Sequence, residues 1–416
     1  MPDSTASKQD TLLILGAGID QIYPIKTAKG EGLRVLAADS NPNAPGFAYA
    51  DEVAVVSNRD AAGLKQLCDS SARRGHPVAG VLVMGTDIPH IAAELAIHAK
   101  IPGPSVETGT WTTNKFLMKE RLAQAGVAVP WYALVNDFET LLRMMQQHGG
   151  DKFVIKPTDR SGARGVFVTR RGAADLKAMY DEAKAEAYSG EVIVEEFIEG
   201  PQISTESILW QGKAYTPGFV DRNYEMLERF APHVIENGGT HPSRVTGRRR
   251  AEIENLVERA AAALGIVDGV AKGDVVIAQD GTPMIIEIAA RLSGGDFSES
   301  LIPLGCGVNI VKAAIQIAVG RKPDLEQLQD QHESYVANRY FFGFPGTLRA
   351  ITGVEEVLAF PWVKKFELYV KPGDVIGSIK FHAGRLGVFV VVAENREQLQ
   401  ERIEAIYDLI RFDVLS

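Results

Sequence analysis

Cysteine is almost missing from this chain of 416 residues: only Cys68 and Cys306 occur, far apart. That excludes a disulfide framework and a metal site of spaced cysteines, and it points to a reducing cytoplasm. A basic excess is missing too. Lys and Arg number 44 against 53 Asp and Glu, a net charge of −9, where a general nucleic-acid binder carries a basic surplus. A polyanionic small molecule is compatible with this balance only at a local island of Lys, Arg and metal. No apolar run approaches the roughly 20 residues that span a bilayer. The N-terminal MPDSTASKQD is polar, with no apolar signal core. There is no evident Ser/His/Asp or cysteine nucleophile, no internal repeat and no low-complexity linker. What is there is a globular composition, 45% apolar and 23% charged, long enough for two or three domains.

Strands and helices alternate through the first third, which predicts a parallel sheet covered on both faces. Thr11 to Leu15 is a compact apolar run ending in Gly16-Ala17-Gly18. A helix with Ile22, Ile25 and Ala28 follows, then a strand from Arg34 ending at Asp39. Further strands are expected at Val53–Val56 and Val78–Met84. Gly16 and Gly18 with Asp39 invite a dinucleotide reading, but Gln21 stands where the third glycine belongs. A tight strand-to-helix turn is the commoner explanation, and a nicotinamide enzyme is kept as a minor alternative. Met84-Gly85-Thr86-Asp87 lies where open α/β sheets place ligands, and it reads equally well as a helix N-cap. Pro and Gly punctuate Ile101 to Ser105 and close this domain.

Lys115 opens the next helix, in the turn where the macrodipole disfavours a cation. A bound phosphate would offset that cost; a surface lysine is the plain alternative. Lys156 ends the β-branched strand Phe153–Pro157, and the loop Asp159-Arg160-Ser161-Gly162-Ala163-Arg164-Gly165 follows before another strand. Its spacing is not that of a Walker loop, but its glycines let backbone N–H groups approach phosphate oxygens. Val192 to Gly200 reads as strand, acidic hinge and turn. Backbone at Glu196, Phe197 and Ile198 could offer an adenine its polar edge, Glu195 could accept from the exocyclic amine, and an acceptor near Glu199 to Gln202 could hold ribose hydroxyls.

The last third centres on Met284 to Phe297, MIIEIAARLSGGDF. Glu287 intrudes into an apolar run, and a carboxylate there is costly unless a cation or hydrogen bonds satisfy it. Arg291 and the pair Gly294, Gly295 follow at once. Val270 to Ile277 pairs with Pro283 to Ile288 through a turn at Gln279-Asp280-Gly281, so that Asp274 and Glu287 share a face. Two carboxylates with phosphate oxygens suit Mg²⁺. Upstream, the loop Val234 to Ser243 offers Glu236 and His241 as substrate contacts; a Gly-rich connector, with His241 capping the helix Arg248 to Leu264, is the equal alternative. Residues 332–416 add strands near Tyr335–Phe342, Lys365–Val370 and Leu386–Val392 and a helix Glu397 to Ile410, with no clear chemical constellation.

Taken in order, Lys115, the 153–168 strand pair, the 192–209 pair and the 270–295 segment resemble an ATP-grasp ligase. The resemblance implies an α/β and α+β chain of three parts. These are a pre-ATP-grasp parallel-sheet domain (1–105), an ATP-grasp core (106–330, its clamping lobe about 130–205 and its catalytic lobe about 206–330), and a C-terminal α+β lobe (331–416). It puts ATP phosphates on Lys115 and Lys156, covers them with Ser161, Gly162, Arg164 and Gly165, and sets adenine at 195–198. It makes Asp274 and Glu287 the ligands of Mg²⁺, with Mn²⁺ as a substitute, and Arg291 the catalytic arginine. Ala289 stands where the family has a ligating Asn. EIAARLSGG resembles the L-amino acid ligase branch, with Gly294 and Gly295 as a nest for substrate carboxylate or acyl phosphate. The implied activity is ATP-dependent carboxylate–amine ligation through an acyl phosphate. The alternatives are a carboxylase using carboxyphosphate and a nucleotide-binding protein that lost turnover. The implied partners are a small carboxylate and an amine, with no nucleic acid or membrane; a homodimer is the assembly the family suggests.

Overall fold

The computed structural model describes residues 9–415; most of the polar N-terminal stretch lies outside them. The first sheet is parallel, with strand order Glu52–Val55, Arg34–Asp39, Thr11–Leu15, Val78–Val83. Its central strands are continuous apolar runs because both faces are covered. Leu12 and Ile14 face one core, and Leu13 and Leu15 face another. The helix Ile310–Ala318 lies across the first of these faces. Its tight seat is visible at Gly80, where a Cβ would meet the Ala318 carbonyl.

A second, four-stranded antiparallel sheet runs Tyr132–Val135, Val192–Glu196, Lys152–Pro157, Phe167–Arg170. It has its own core, in which Leu141, Met145 and Met179 from two helices pack on Phe153 and Ile155.

The third sheet has eight strands, all antiparallel. It begins with Pro283–Ala289, Gly269–Ile277, Gln202–Trp210 and Lys213–Arg222, and continues through Gly239–His241, Tyr335–Phe341, Gly387–Ala393 and Val363–Leu368. Helix Gly247–Ala263 covers one face, burying Ile253, Leu256, Val257 and Ala260 at helical spacing against Ile285 and Ile288. Each of the larger aliphatic side chains removed from water contributes about 1.5–3 kcal/mol.

Two expectations change here. The 234–243 stretch is more than a connector: Gly239–His241 is a strand that joins the core strands to the C-terminal ones. The sheet therefore runs without a break past residue 331. Strands Gly346–Thr352 and Arg411–Leu415, unforeseen from sequence, form a small sheet with Val375–Ile376. Among the described residues no helix is long and apolar enough to cross a membrane.

Candidate active site

One cavity of about 490 Å³ opens where the parallel sheet, the four-stranded antiparallel sheet and the eight-stranded sheet meet. Its upper wall belongs to the four-stranded antiparallel sheet. Asn114 caps the helix Lys115–Gln124, accepting from Phe116 and Leu117 N–H, and so fixes Lys115 as the first helical residue. The Lys115 Nζ donates to the Arg160 carbonyl at 2.9 Å and lies 3.2 Å from Glu287. Burial works against its charge, yet Glu287 and Asp87 hold its pKa above the usual lysine value. Lys156 reaches the same cavity from strand Lys152–Pro157, 2.9 Å from Glu195.

Glu195 is placed differently from expectation. It lines the cavity with the other hinge residues, but its buried carboxylate sits between Lys156 and Lys119, the latter at 3.4 Å. Lys119 is fully buried, and that burial pulls its ammonium down to about 8. The hinge residues Glu196, Phe197 and Ile198 do line the cavity, as does Gln202. Beside them Val154, Val168, Val276 and Ile286 form an apolar slot.

In the glycine loop, Ser161 and Gly162 face the cavity. Gly162, Ala163 and Gly165 all have positive φ, near 71°, 60° and 65°. Arg164 and Gly165 do not reach the cavity wall. The Arg164 guanidinium turns onto the Phe381 ring, 5.0 Å from its centroid, and Gly165 packs on helix Leu176–Glu186.

The floor is the 269–289 hairpin. Asp274 stands directly opposite Glu287 in register, as expected. Asp274 is 4% exposed. It accepts from Ser204 Oγ at 2.8 Å, pairs with Arg222 at 2.7 Å, and touches the Lys272 ammonium. Burial alone would raise its pKa, but Arg222 and Lys272 hold it far below the carboxylate range. Ala289 faces Lys272 across the hairpin, so a cation stands opposite the position of the expected Asn. Among the described residues no group of three or more His, Cys, Asp or Glu could hold a metal. A divalent ion here would rest on Asp274, Glu287 and substrate oxygens. That donor set suits Mg²⁺, which binds through one or two carboxylates and keeps the rest for phosphate and water.

Arg291 is fixed by the first domain. Beyond the hairpin the chain pairs with the edge of the parallel sheet: Gly85 N–H donates to Leu292 O at 3.0 Å, and Leu292 N–H to Val83 O at 3.2 Å. That brings Asp87 to Arg291, whose Nη2 and Nε lie 2.6 and 2.7 Å from Asp87 Oδ1. Despite burial, Arg291 and Lys115 keep Asp87 below the ordinary carboxylate range. The Met84–Asp87 loop is thus a wall of the site; Ile88 is the N-cap of the next helix, and it carries no side-chain cap bond.

Gly16-Ala17-Gly18 takes no part. Asp39 accepts from Ala17 N–H at 2.8 Å, Gly46 N–H donates to Ala17 O, and the Gln21 side chain packs over both glycines. The contacts of this loop are internal, and none of its three residues lines the cavity.

Of the two loop residues, Glu236 reaches the cavity and pairs with Arg222. His241 does not: it lies on strand Gly239–His241, buried, with Nδ1 3.1 Å from the Ser334 carbonyl, and it caps no helix. Gly294 and Gly295 line the cavity between Asp20 and Tyr340. Gly295 N–H donates to Asp20 at 3.1 Å, and Tyr340 Oη donates to Gly295 O at 3.1 Å.

The C-terminal region, expected to be chemically silent, supplies Asn338, Tyr340, Tyr369, His382 and Arg385 to the wall. The signal was present in Asn338-Arg339-Tyr340, polar residues inside an otherwise apolar strand. Arg222, Lys272 and Asp20 were also missed, for nothing in a single sequence tells a solvated strand-end charge from one facing a cleft.

Comparison with known proteins gives consistent relatives. Residues 112–295 match the family described as ATP-grasp domain, and residues 339–415 match L-amino acid ligase C-terminal domain 2. The chain is 27% identical over 390 residues to uncharacterized protein y4rH of Sinorhizobium fredii, covering 89% of this chain and 76% of that one. It is 24% identical over 310 residues to the L-arginine-specific L-amino acid ligase of Bacillus subtilis, covering 72% and 71%. The crystal structure of an L-amino acid ligase from Bacillus licheniformis superposes with a TM-score of 0.84 at 20% identity, covering 98% and 100%.

Proposed function

We infer that this chain, a member of the ATP-grasp ligases, joins a small carboxylate to an amine at the expense of ATP. The observation that carries the reading is one cavity shared by two lysines, a facing Asp/Glu pair and a buried arginine. Lys115 and Lys156 hold the ATP phosphates, Ser161 and Gly162 lie over them, and adenine occupies the apolar slot beside 196–198. Glu195 acts on the nucleotide indirectly, by keeping Lys156 in place. Asp274 and Glu287 would hold Mg²⁺, which supplies Lewis-acid neutralisation of phosphate charge when bound. Lys272, opposite Ala289, favours a single ion.

In the reaction a carboxylate oxygen of the acid attacks the γ-phosphorus, the bond to the β-bridging oxygen breaks, and ADP departs. The amine nitrogen then attacks the acyl carbon. The C–O bond to phosphate breaks with its electron pair, and the attacking nitrogen loses one proton to water, keeping one N–H in the amide. Arg291 lies where charge on the transferred phosphoryl and the tetrahedral intermediate needs a fixed cation. The protein's contribution is position and field, with no covalent enzyme intermediate.

The test is a phosphate-release screen over pairs of amino acids and small carboxylates. ADP and phosphate should form in equal amounts, with Mg²⁺, and only when both substrates are present. Asp274→Ala and Glu287→Ala should abolish turnover; wild-type rates in both would sink the metal assignment. ADP release driven by bicarbonate without an amine would point to a carboxylase instead.

A further inference from the structure

The helix Lys115–Gln124 carries two buried lysines four residues apart, so both project from one face. Lys115 lines the cavity. Lys119 does not: it stands behind the wall, fully buried, and the reaction above gives it no task. Burying an ammonium is costly unless it is paired. The Lys119 Nζ lies 3.4 Å from Glu195 Oε2, longer than a charge-assisted hydrogen bond, and it has no hydrogen-bond partner.

Glu195 therefore stands between a lysine that faces the cavity and one that does not. Its Oε1 is 2.9 Å from the Lys156 Nζ, and its Oε2 is the oxygen turned to Lys119. Lys115 pairs with Glu287 at 3.2 Å. Among the described residues these two carboxylates are the direct partners of all three ammonium groups, which leaves this wall one positive charge in excess. A one-to-one pair with Glu195 would hold the Lys156 charge on the protein and weaken its pull on a phosphate. A second cation on the same carboxylate divides that hold. Burial raises the Glu195 pKa, but Lys119 and Lys156, in that order, pull it below the usual value. The charged groups around Lys119 are Glu195 and Lys156 from the four-stranded antiparallel sheet, Glu287 from the hairpin, and Lys115 one turn back on its own helix.

We propose that Lys119 is a positioning residue for nucleotide binding: by sharing Glu195 it frees the Lys156 ammonium to hold an ATP phosphate. The proposal rests on the nucleotide site of the ligase reading above. No contact between Lys119 and ATP is required, for its effect passes through Glu195. The gain has one condition, that Lys119 be charged. Burial brings its ammonium down to about 8, and Glu195 keeps it from falling further. Above that pH Lys119 turns neutral, Glu195 is left to Lys156 alone, and the grip on phosphate weakens.

The experiment measures equilibrium binding of a fluorescent, non-hydrolysable ATP analogue with Mg²⁺ at about pH 7 and at about pH 9.5, either side of the Lys119 transition. Removing one charge just behind the site, at an effective dielectric of about 20, is worth about a tenfold change in Kd. Wild type should therefore bind about tenfold more weakly at the higher pH. Lys119→Met should show the weaker Kd at both, with no fall in melting temperature, because Glu195 keeps Lys156 as its partner. KM for acid and amine in the ligation assay should not change. In a Glu195→Gln background Lys119→Met should alter Kd by less than about twofold, since the link between the two lysines is gone. A wild-type Kd that is the same at both pH values overturns the proposal and needs no variant. So does Lys119→Met with wild-type Kd, or an effect of equal size with and without Glu195. Absence of analogue binding by wild type overturns the nucleotide site and the proposal with it. Binding that follows the expected pattern, with no ADP from any acid–amine pair, would remove the ligase reading and leave the Lys119 assignment standing.

Discussion

Replacing Asp87 by asparagine should disable catalysis from the parallel-sheet region, without touching a residue of the hairpin that carries Asp274 and Glu287. Arg291 Nη2 and Nε converge on one Asp87 oxygen, the shorter contact being 2.6 Å, with side-chain exposures of 10% and 4%. At that separation, with an effective dielectric of about 20, the gross attraction is roughly 6 kcal/mol. Desolvation offsets part of it, and removing one partner from a buried pair costs about 3–5 kcal/mol. Asparagine keeps an acceptor for Arg291, and Glu287 and Asp274 still attract that guanidinium. The expected loss is therefore about 2–3 kcal/mol, at or just below the bottom of that range. Read as transition-state stabilisation, this is about a 100-fold fall in kcat, with KM for ATP little changed. The melting temperature should fall as well, with a pH signature. Asp87 has a depressed folded-state pKa, so its contribution is complete above the unfolded value near 4 and is lost as pH drops through the folded value. The stability gap between wild type and Asp87→Asn should hold at pH 7 and begin to narrow as pH falls below about 4. Steady-state kinetics and melting curves at both pH values check this. An Asp87→Asn enzyme with wild-type kcat and melting would show that Arg291 is positioned by the core alone.

Glu206 is fully buried; it accepts from Ser293 N–H and from Ser298 Oγ at 2.7 Å, and burial raises its pKa. For an acid shifted upward, stability falls as pH rises from the unfolded value near 4.3 through the folded value. Glu206→Gln should thus melt at or above wild type at pH 7 and equal it at pH 4; a lower melt at both would refute the reasoning. Gly294→Ala would drive a Cβ into the Asp20 carboxylate and to 3.0 Å from Gly85 Cα. It should cut ligation by about tenfold or more, since misplacement of about 1 Å is costly in a site built on position. Binding of a fluorescent ATP analogue should be unchanged, and weakened analogue binding would argue for a wider collapse.

Much of this protein was legible in the order of its residues. Local periodicity placed the strands carrying Lys156, Asp274 and Glu287, and a two-residue alternation sets which side chains share a face. The facing of Asp274 and Glu287 followed from a hairpin and its turn, both local. The resemblance of those segments to ATP-grasp ligases gave the fold and the activity. Three matters lay beyond the sequence, each resting on contacts between residues far apart in the chain. Asp87 meets Arg291 only because the chain beyond the Gly269–Ala289 hairpin pairs with the edge of the parallel sheet. Glu195, in the cavity wall, is paired there with two lysines from different elements. Arg385, Tyr340 and Asn338 reach the cavity because strand Gly239–His241 carries the central sheet across the expected boundary. Pattern along a chain shows which face of an element is buried; which other element buries it, and so which charges meet, is decided by packing.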